Sequence, residues 1–264
     1  MFVTRLISGI VLVGLALLTI ITGSWLLFFT VLALSLIGAN ELYKVMKVRP
    51  ENSKFSFLEL VGYVGICLYY ASLVIADGKY ALGALMVSMI LVMCAYVFCY
   101  PAFHANQVMA AFFGIVYVAV MLSCVYQTRM LEGGAYHVWL IFLCSWGCDT
   151  CAYCVGVLFG KHKMAPVLSP KKSIEGAVGG VAGAILLGLI YALVTHGPVA
   201  AYMIICGVGA LISMVGDLAA SAIKRNMGIK DYGKLIPGHG GVLDRFDSVI
   251  FTAPVIFYLS SILI

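Results

Sequence analysis

The chain has 264 residues, 63% of them apolar and only 10% Asp, Glu, Lys or Arg, with a formal net charge of +5. A soluble domain is about half apolar and about a quarter charged, and the mean hydropathy of +1.09 lies far above that range. These figures exclude a water-soluble enzyme, a disordered chain and a nucleic-acid-binding domain as first readings, and they point to an all-α polytopic membrane protein.

A spanning helix needs about 20 mainly apolar residues. In chain order the candidate spans are Leu6–Thr22, Ser24–Ala39, Leu58–Ala76, Tyr80–Cys99, Gln107–Thr128, Ala135–Leu158, Gly176–Thr195, Val199–Val215 and Ser248–Ile264, which makes a bundle of about nine transmembrane helices. Arg5 followed by an apolar run resembles a signal peptide. No small-x-small site ends the run, however, and a second apolar stretch follows at once, so residues 1–22 are read as a span. With the N-terminus in the cytosol, every lysine and arginine except Lys79 and Arg129 falls on the cytosolic side. That is the bias of the positive-inside rule, and it predicts an N-in, C-out topology.

The first 134 residues are chemically quiet and read as a scaffold of helices. Their charges gather in the stretch Asn40–Phe57, which reads as a solvated cytosolic loop. Residues 135–264 read as the part that carries the chemistry. Cys144, Cys148, Cys151 and Cys154 fall on roughly one helix face, but a single straight helix cannot wrap four thiolates around one ion. They are read as small apolar packing residues. Gly176, Gly180, Ala184 and Gly188 recur every four residues and predict close approach between spans.

Three polar stretches stand out. Asp149, in Cys148-Asp149-Thr150-Cys151-Ala152-Tyr153, places a carboxylate inside an apolar span, where it needs a cation or a wet cavity. Next, Phe159-Gly160-Lys161-His162-Lys163 and Ser169-Pro170-Lys171-Lys172-Ser173 lead into the N-terminus of span seven. Helix N-termini attract anions, so lysines and hydroxyls placed there suit a polyphosphate. The third stretch holds Asp217, Ser221 and Lys224, at helical offsets that put them on one face, then Lys230-Asp231 and Pro237-Gly238-His239-Gly240-Gly241-Val242-Leu243-Asp244-Arg245-Phe246-Asp247. Three aspartates among lysines suggest a divalent cation held by oxygen, and Mg²⁺ commonly takes one or two carboxylates plus substrate phosphates.

Ser221-Ala222-Ile223-Lys224-Arg225, Lys230-Asp231 and Pro237–Asp247 together resemble the signature of phosphatidate cytidylyltransferase, also called CDP-diacylglycerol synthase. The Asp149-Thr150-x-Ala152-Tyr153, Phe159-Gly160-Lys161 and Ser169–Ser173 segments are similar to the same family. The motifs cover residues 140–264. The resemblance implies transfer of a cytidylyl group from CTP to phosphatidic acid with Mg²⁺, giving CDP-diacylglycerol and pyrophosphate in phospholipid biosynthesis.

On that resemblance, Asp217, Asp244 and Asp247 are expected to hold Mg²⁺. Ser169, Lys171, Lys172 and Ser173 are expected to cradle the triphosphate, with Ser221 and Asp149 as further substrate contacts. Lys224, Arg225, Lys230, Asp231 and His239 are expected to serve the phosphates at the reacting centre. The expected partners are CTP, phosphatidic acid and membrane lipids, with no nucleic acid, and the small-residue spans allow a homodimer. The expected location is the cytoplasmic (inner) membrane, with the site facing the cytosol. Two rivals differ in product or symmetry. A CTP-dependent polyprenol kinase would release CDP, and a secondary transporter would carry midplane charges in both halves.

Overall fold

The computed structural model describes residues 2–49, 56–75, 78–238 and 240–264, with side chains at residues 9, 11 and from 13 onward. Lys54 and His239 therefore lie outside the described residues. The helices are α1 (Phe2–Thr22), α2 (Ser24–Val45), α3 (Phe57–Ile75), α4 (Ala81–Phe98), α5 (Ala105–Met130), α6 (Gly134–Phe159), α7 (Ile174–Thr195), α8 (Val199–Asn226) and α9 (Leu243–Leu263). Among the described residues, the eight from α2 to α9 are long and apolar enough to cross a membrane, and α1 adds the apolar run Val13–Thr22. The chain forms two compact units, each discontinuous in sequence. One comprises Met1–Ser8, Phe28–Ser123 and Asp231–Asp244, the other Gly9–Leu27, Cys124–Lys230 and Arg245–Ile264. The stretch before Asp244 thus groups with the N-terminal helices.

In the first unit, tyrosines tie helices together through hydroxyls that hydrocarbon could not satisfy. Tyr43 donates to the Ala111 carbonyl at 2.8 Å, and Tyr70 shares a 2.7 Å hydrogen bond with Ser35. A Cβ at Gly62 would lie 2.5 Å from the Tyr43 hydroxyl, so the glycine leaves room for it. The described residues of the stretch read as a solvated loop, 40–49 and 56–57, are tied down more than expected, and residues 40–45 continue α2. Glu41 and Glu59 are both buried, and Arg49 donates to Glu59 Oε2 from Nε at 3.0 Å and Nη2 at 2.8 Å. The Glu59 carboxylate raises the Arg49 pKa above its ordinary value.

In the second unit, the tight join between α1 and α2 is made by Gly23, with φ of 61° in the left-handed region. Arg129 donates from Nε to the Ile20 carbonyl at 3.1 Å, which places a cation at the negative end of α1. α6 and α7 pack along the first part of the expected small-residue stripe, whereas Gly188 at its far end meets Cys206 of α8. A Cβ at Gly180 would come within 2.9 Å of the Ala152 Cβ and 3.0 Å of the Cys148 sulfur, and one at Gly183 within 2.6 Å of Cys151. The glycines face cysteines, so both act as small packing residues here.

Three boundaries differ from the sequence expectation by five residues or more, the first being α2, which runs to Val45 rather than ending at Ala39. α8 runs 28 residues to Asn226 rather than ending near Val215, because Asp217, Ser221 and Lys224 find polar partners and need not leave the helix. α9 starts at Leu243 rather than Ser248, because carboxylates meet the unpaired N–H groups at its start. The stretch between α6 and α7, expected to be loop, forms a short antiparallel hairpin of β1 (Lys163–Ala165) and β2 (Ser169–Ser173).

Candidate active site

The hairpin places the lysines. Ser173 is the N-cap of α7, its Oγ accepting from the Gly176 N–H at 3.1 Å. This arrangement satisfies one of the N–H groups left unpaired at a helix start. Lys163 pairs with Ser173 and Ala165 with Ser169 across the ladder. Glu175, in the first turn of α7, accepts from the backbone N–H groups of Lys161 and His162 and contacts His162 Nδ1 at 2.6 Å. The root of the hairpin is thereby fastened to the helix that follows it.

Beside this hairpin is a cavity of about 480 Å³. Lys163, Lys171, Lys172 and Ser173 line one side, and Asp149 on α6 and Asp217 on α8 line another. Ala152, Tyr153, Val157, Ala177 and Met214 make its apolar part. Tyr153 is exposed, whereas Met214 belongs to a buried cluster with Cys148, Ala184 and Ala210. Asp149 follows a π-helical turn at Leu143–Gly147, the kind of local irregularity that re-aims a side chain.

The carboxylates of the second unit meet lysines and hydroxyls. Lys172 Nζ forms an ion pair with Asp217 Oδ2, both side chains being about 25% exposed. Ser221 Oγ lies 3.5 Å from Asp217 Oδ1, one helical turn along α8. Lys224 is buried, with its Nζ 3.9 Å from Asp247 Oδ2. Asp149 lies beside Ser248, and both Asp149 and Asp247 lie within electrostatic range of Asp217. Asp149, Lys172, Asp217, Ser221, Lys224 and Asp247 therefore form one polar cluster, all of them residues singled out in the sequence.

Asp244 is placed differently. It is buried, and its Oδ2 accepts from the backbone N–H groups of Tyr232 at 2.8 Å and Gly241 at 2.9 Å. Gly240 has φ of 90°, and a Cβ there would lie 2.7 Å from that same oxygen. Glu41 completes this loop from α2: Val242 N–H donates to its Oε1 at 3.0 Å and Leu243 N–H to its Oε2 at 2.9 Å. Glu41 is an organising residue that sequence reading missed. The available signal is an acidic residue at the end of an apolar run.

The remaining expected residues are less engaged. Arg225 donates to the Ile229 carbonyl at 3.0 Å and so closes the turn after α8. Lys230 and Asp231 are exposed on the following stretch. Lys163, Tyr153, Glu175 and Ser248 join the site or its support without having been given individual roles.

Among the described residues, no group of three or more His, Cys, Asp or Glu side chains converges closely enough to hold a metal by itself. The groups near Asp217 that could ligate a metal are nonetheless oxygens, from Asp149, Asp247 and Ser221, with the Lys172 ammonium beside them. That composition fits a hard cation that takes one or two carboxylates and completes its shell with phosphate and water.

Comparisons with known proteins agree with the motifs. The profile of the cytidylyltransferase family matches residues 3–263. A phosphatidate cytidylyltransferase of Staphylococcus epidermidis is 30% identical over 259 residues, 96% of each chain. One of Bacillus subtilis is 29% identical over 266 residues, covering 97% of this chain and 96% of its own. One of Staphylococcus saprophyticus is 40% identical over 144 residues, and that alignment spans 54% of this chain and 55% of the relative. With a family profile covering nearly every residue and end-to-end relatives of the same kind, the chain belongs to the phosphatidate cytidylyltransferase family.

Proposed function

We propose that this chain is a nucleotidyltransferase of the cytoplasmic membrane that converts CTP and phosphatidic acid to CDP-diacylglycerol and pyrophosphate. The observation that carries this reading is the cavity in which Lys163, Lys171 and Lys172 face Asp149 and Asp217 at the start of α7. Two polyanions must meet for the reaction to occur, and such a cavity offers cations and a helix N-terminus to one and carboxylates for a metal to both.

A phosphate oxygen of phosphatidate, already ionised at neutral pH, attacks the α-phosphorus of CTP. A new P–O bond forms, the α–β anhydride bond breaks, and pyrophosphate leaves with its electron pair. No general base is needed to create the nucleophile. Lys163, Lys171 and Lys172 hold the triphosphate and offset charge on the leaving group. Lys224 and Asp247 set the charge at the neighbouring end of the cluster, and Ser221 orients Asp217. Arg225 and Lys230 supply further positive charge to the phosphates, while Asp231 orients Lys230.

Asp217 and Asp247 are the proposed holders of Mg²⁺, with Asp149 beside them; the bound ion would supply Lewis-acid stabilisation of phosphoryl charge. Asp244 keeps its expected ligand role within this proposal. That role needs its own test, since its Oδ2 also anchors the loop. His239 remains assigned by motif alone. The positive-inside pattern supports N-in, C-out, with the lysine-rich hairpin in the cytosol.

The test is to incubate purified protein with labelled CTP, phosphatidate and Mg²⁺ and to identify both products. CDP-diacylglycerol with pyrophosphate is the expected pair. Release of CDP together with a phosphorylated lipid alcohol would replace this reading with a lipid kinase.

A further inference from the structure

A second cavity, of about 720 Å³, opens in the first unit between α2, α3 and the stretch 232–235. Its lining changes character along the helices. Lys44 lies in the last turn of α2, and Lys234 is exposed on the loop. Asn40 lies about one turn deeper on α2, and Tyr63 faces the same cavity from α3. Leu36 and Ile37 lie about one turn deeper still, with Cys67 one turn beyond Tyr63. Cations, then polar groups, then apolar side chains follow the order of headgroup, ester region and acyl chain in a phospholipid.

The charge balance favours an anion. Glu41 also lines this cavity, but its two oxygens accept the N–H groups of Val242 and Leu243 at the positive start of α9. Its charge is therefore largely engaged by the backbone, and the two exposed lysines dominate the rim. A free nucleotide would leave the apolar depth unfilled, whereas an uncharged lipid would leave the lysines without a counter-ion.

We propose that this cavity binds one anionic diacyl phospholipid, its phosphate between Lys44 and Lys234 and a chain along Leu36 and Ile37. The site is lined by different residues from the cavity assigned to the reaction. It does not depend on which reaction the chain performs.

The test is native mass spectrometry of the purified full chain in detergent, counting retained dilauroyl phosphatidate, phosphatidylglycerol and phosphatidylcholine. It is run on wild type, on the Lys44→Ala/Lys234→Ala variant and on the Lys171→Ala/Lys172→Ala variant. Wild type should retain both anionic lipids over phosphatidylcholine. The Lys44→Ala/Lys234→Ala variant should lose one such lipid, with affinity down about thirtyfold, from roughly fivefold per lysine near a phosphate. The Lys171→Ala/Lys172→Ala variant should keep it. Equal retention by the Lys44→Ala/Lys234→Ala variant, or equal retention of phosphatidylcholine by wild type, overturns the proposal. Displacement by inorganic phosphate or glycerol 3-phosphate overturns the lipid assignment. If the double variant does not fold, Leu36→Trp, which fills the chain path and leaves both lysines, decides: unchanged retention overturns the site. Turnover is not the readout, so failure here leaves the proposed reaction standing.

Discussion

Two sets of buried or half-buried carboxylates sit in this protein, and their partners differ. In the first unit, Glu41 and Asp244 are held by backbone N–H groups of one glycine-rich loop. In the second, Asp217 and Asp247 face lysine ammonium groups, with Asp149 near them. Backbone donors are fixed by the fold, so the first arrangement specifies one loop conformation. A lysine is a movable point charge on a flexible stem, so the second arrangement can exchange its partner for a phosphate or a cation. A bound anion would draw Lys172 away from Asp217 and leave the Asp217 carboxylate, with Asp247 near it, able to hold a cation that would supply charge stabilisation.

The contrast can be broken most sharply at Asp217. Asp217→Asn should leave a folded protein whose turnover is at least about 100-fold lower, the scale of losing one key electrostatic group at a reacting phosphate. The charge-swapped Asp217→Lys/Lys172→Asp variant restores a pair but moves the carboxylate from α8 to the hairpin and removes a lysine from the triphosphate cradle, so turnover should stay low. Recovery of turnover in that variant would make the pair merely structural.

Asp244→Asn sharpens the other side. The Asn side-chain oxygen can still accept the Tyr232 and Gly241 N–H groups, so the thermal unfolding midpoint in detergent should hold while product formation is lost. Near-normal product formation would confine Asp244 to shaping the loop.

Glu41→Ala should act on stability rather than directly on chemistry. It removes two charge-assisted hydrogen bonds to buried N–H groups, each worth about 1.5–3 kcal/mol. The unfolding midpoint should fall clearly, and Glu41→Gln, which keeps one acceptor oxygen, should fall less. An unchanged midpoint in Glu41→Ala would show that the loop is held by other contacts.

The smallest effect is expected at Glu175. Glu175→Gln keeps an acceptor for the Lys161 and His162 N–H groups but loses the carboxylate contact with His162 Nδ1. Looser seating of the hairpin should raise KM for CTP severalfold and leave kcat nearly unchanged. A loss in kcat with constant KM would place Glu175 in the chemistry instead.

Much of the site was legible because charge inside an apolar chain is costly and therefore conspicuous. Asp149, Lys171, Lys172, Asp217 and Lys224 could be picked out one by one, and offsets of four and seven along α8 correctly put Asp217, Ser221 and Lys224 on one helical face. Glu41 escaped because its partners lie some 200 positions away, at Val242 and Leu243, and no local period reports such a pairing. The hairpin escaped because its strands are three and five residues long and carry no alternating apolar pattern. It is held by Glu175 and the start of α7 rather than by strand propensity.

Composition and periodicity by themselves determined that the chain is a bundle of membrane-length helices whose polar residues crowd into the later half, because hydrocarbon tolerates little else. The motif order was enough to point to the family. Only the tertiary structure decided which polar groups meet: that Lys172 pairs with Asp217, that Asp244 closes a glycine loop, and that Ser173 caps α7. Spacing along a chain fixes which residues share a helix face, but contacts between helices depend on how glycines and cysteines let the backbones approach.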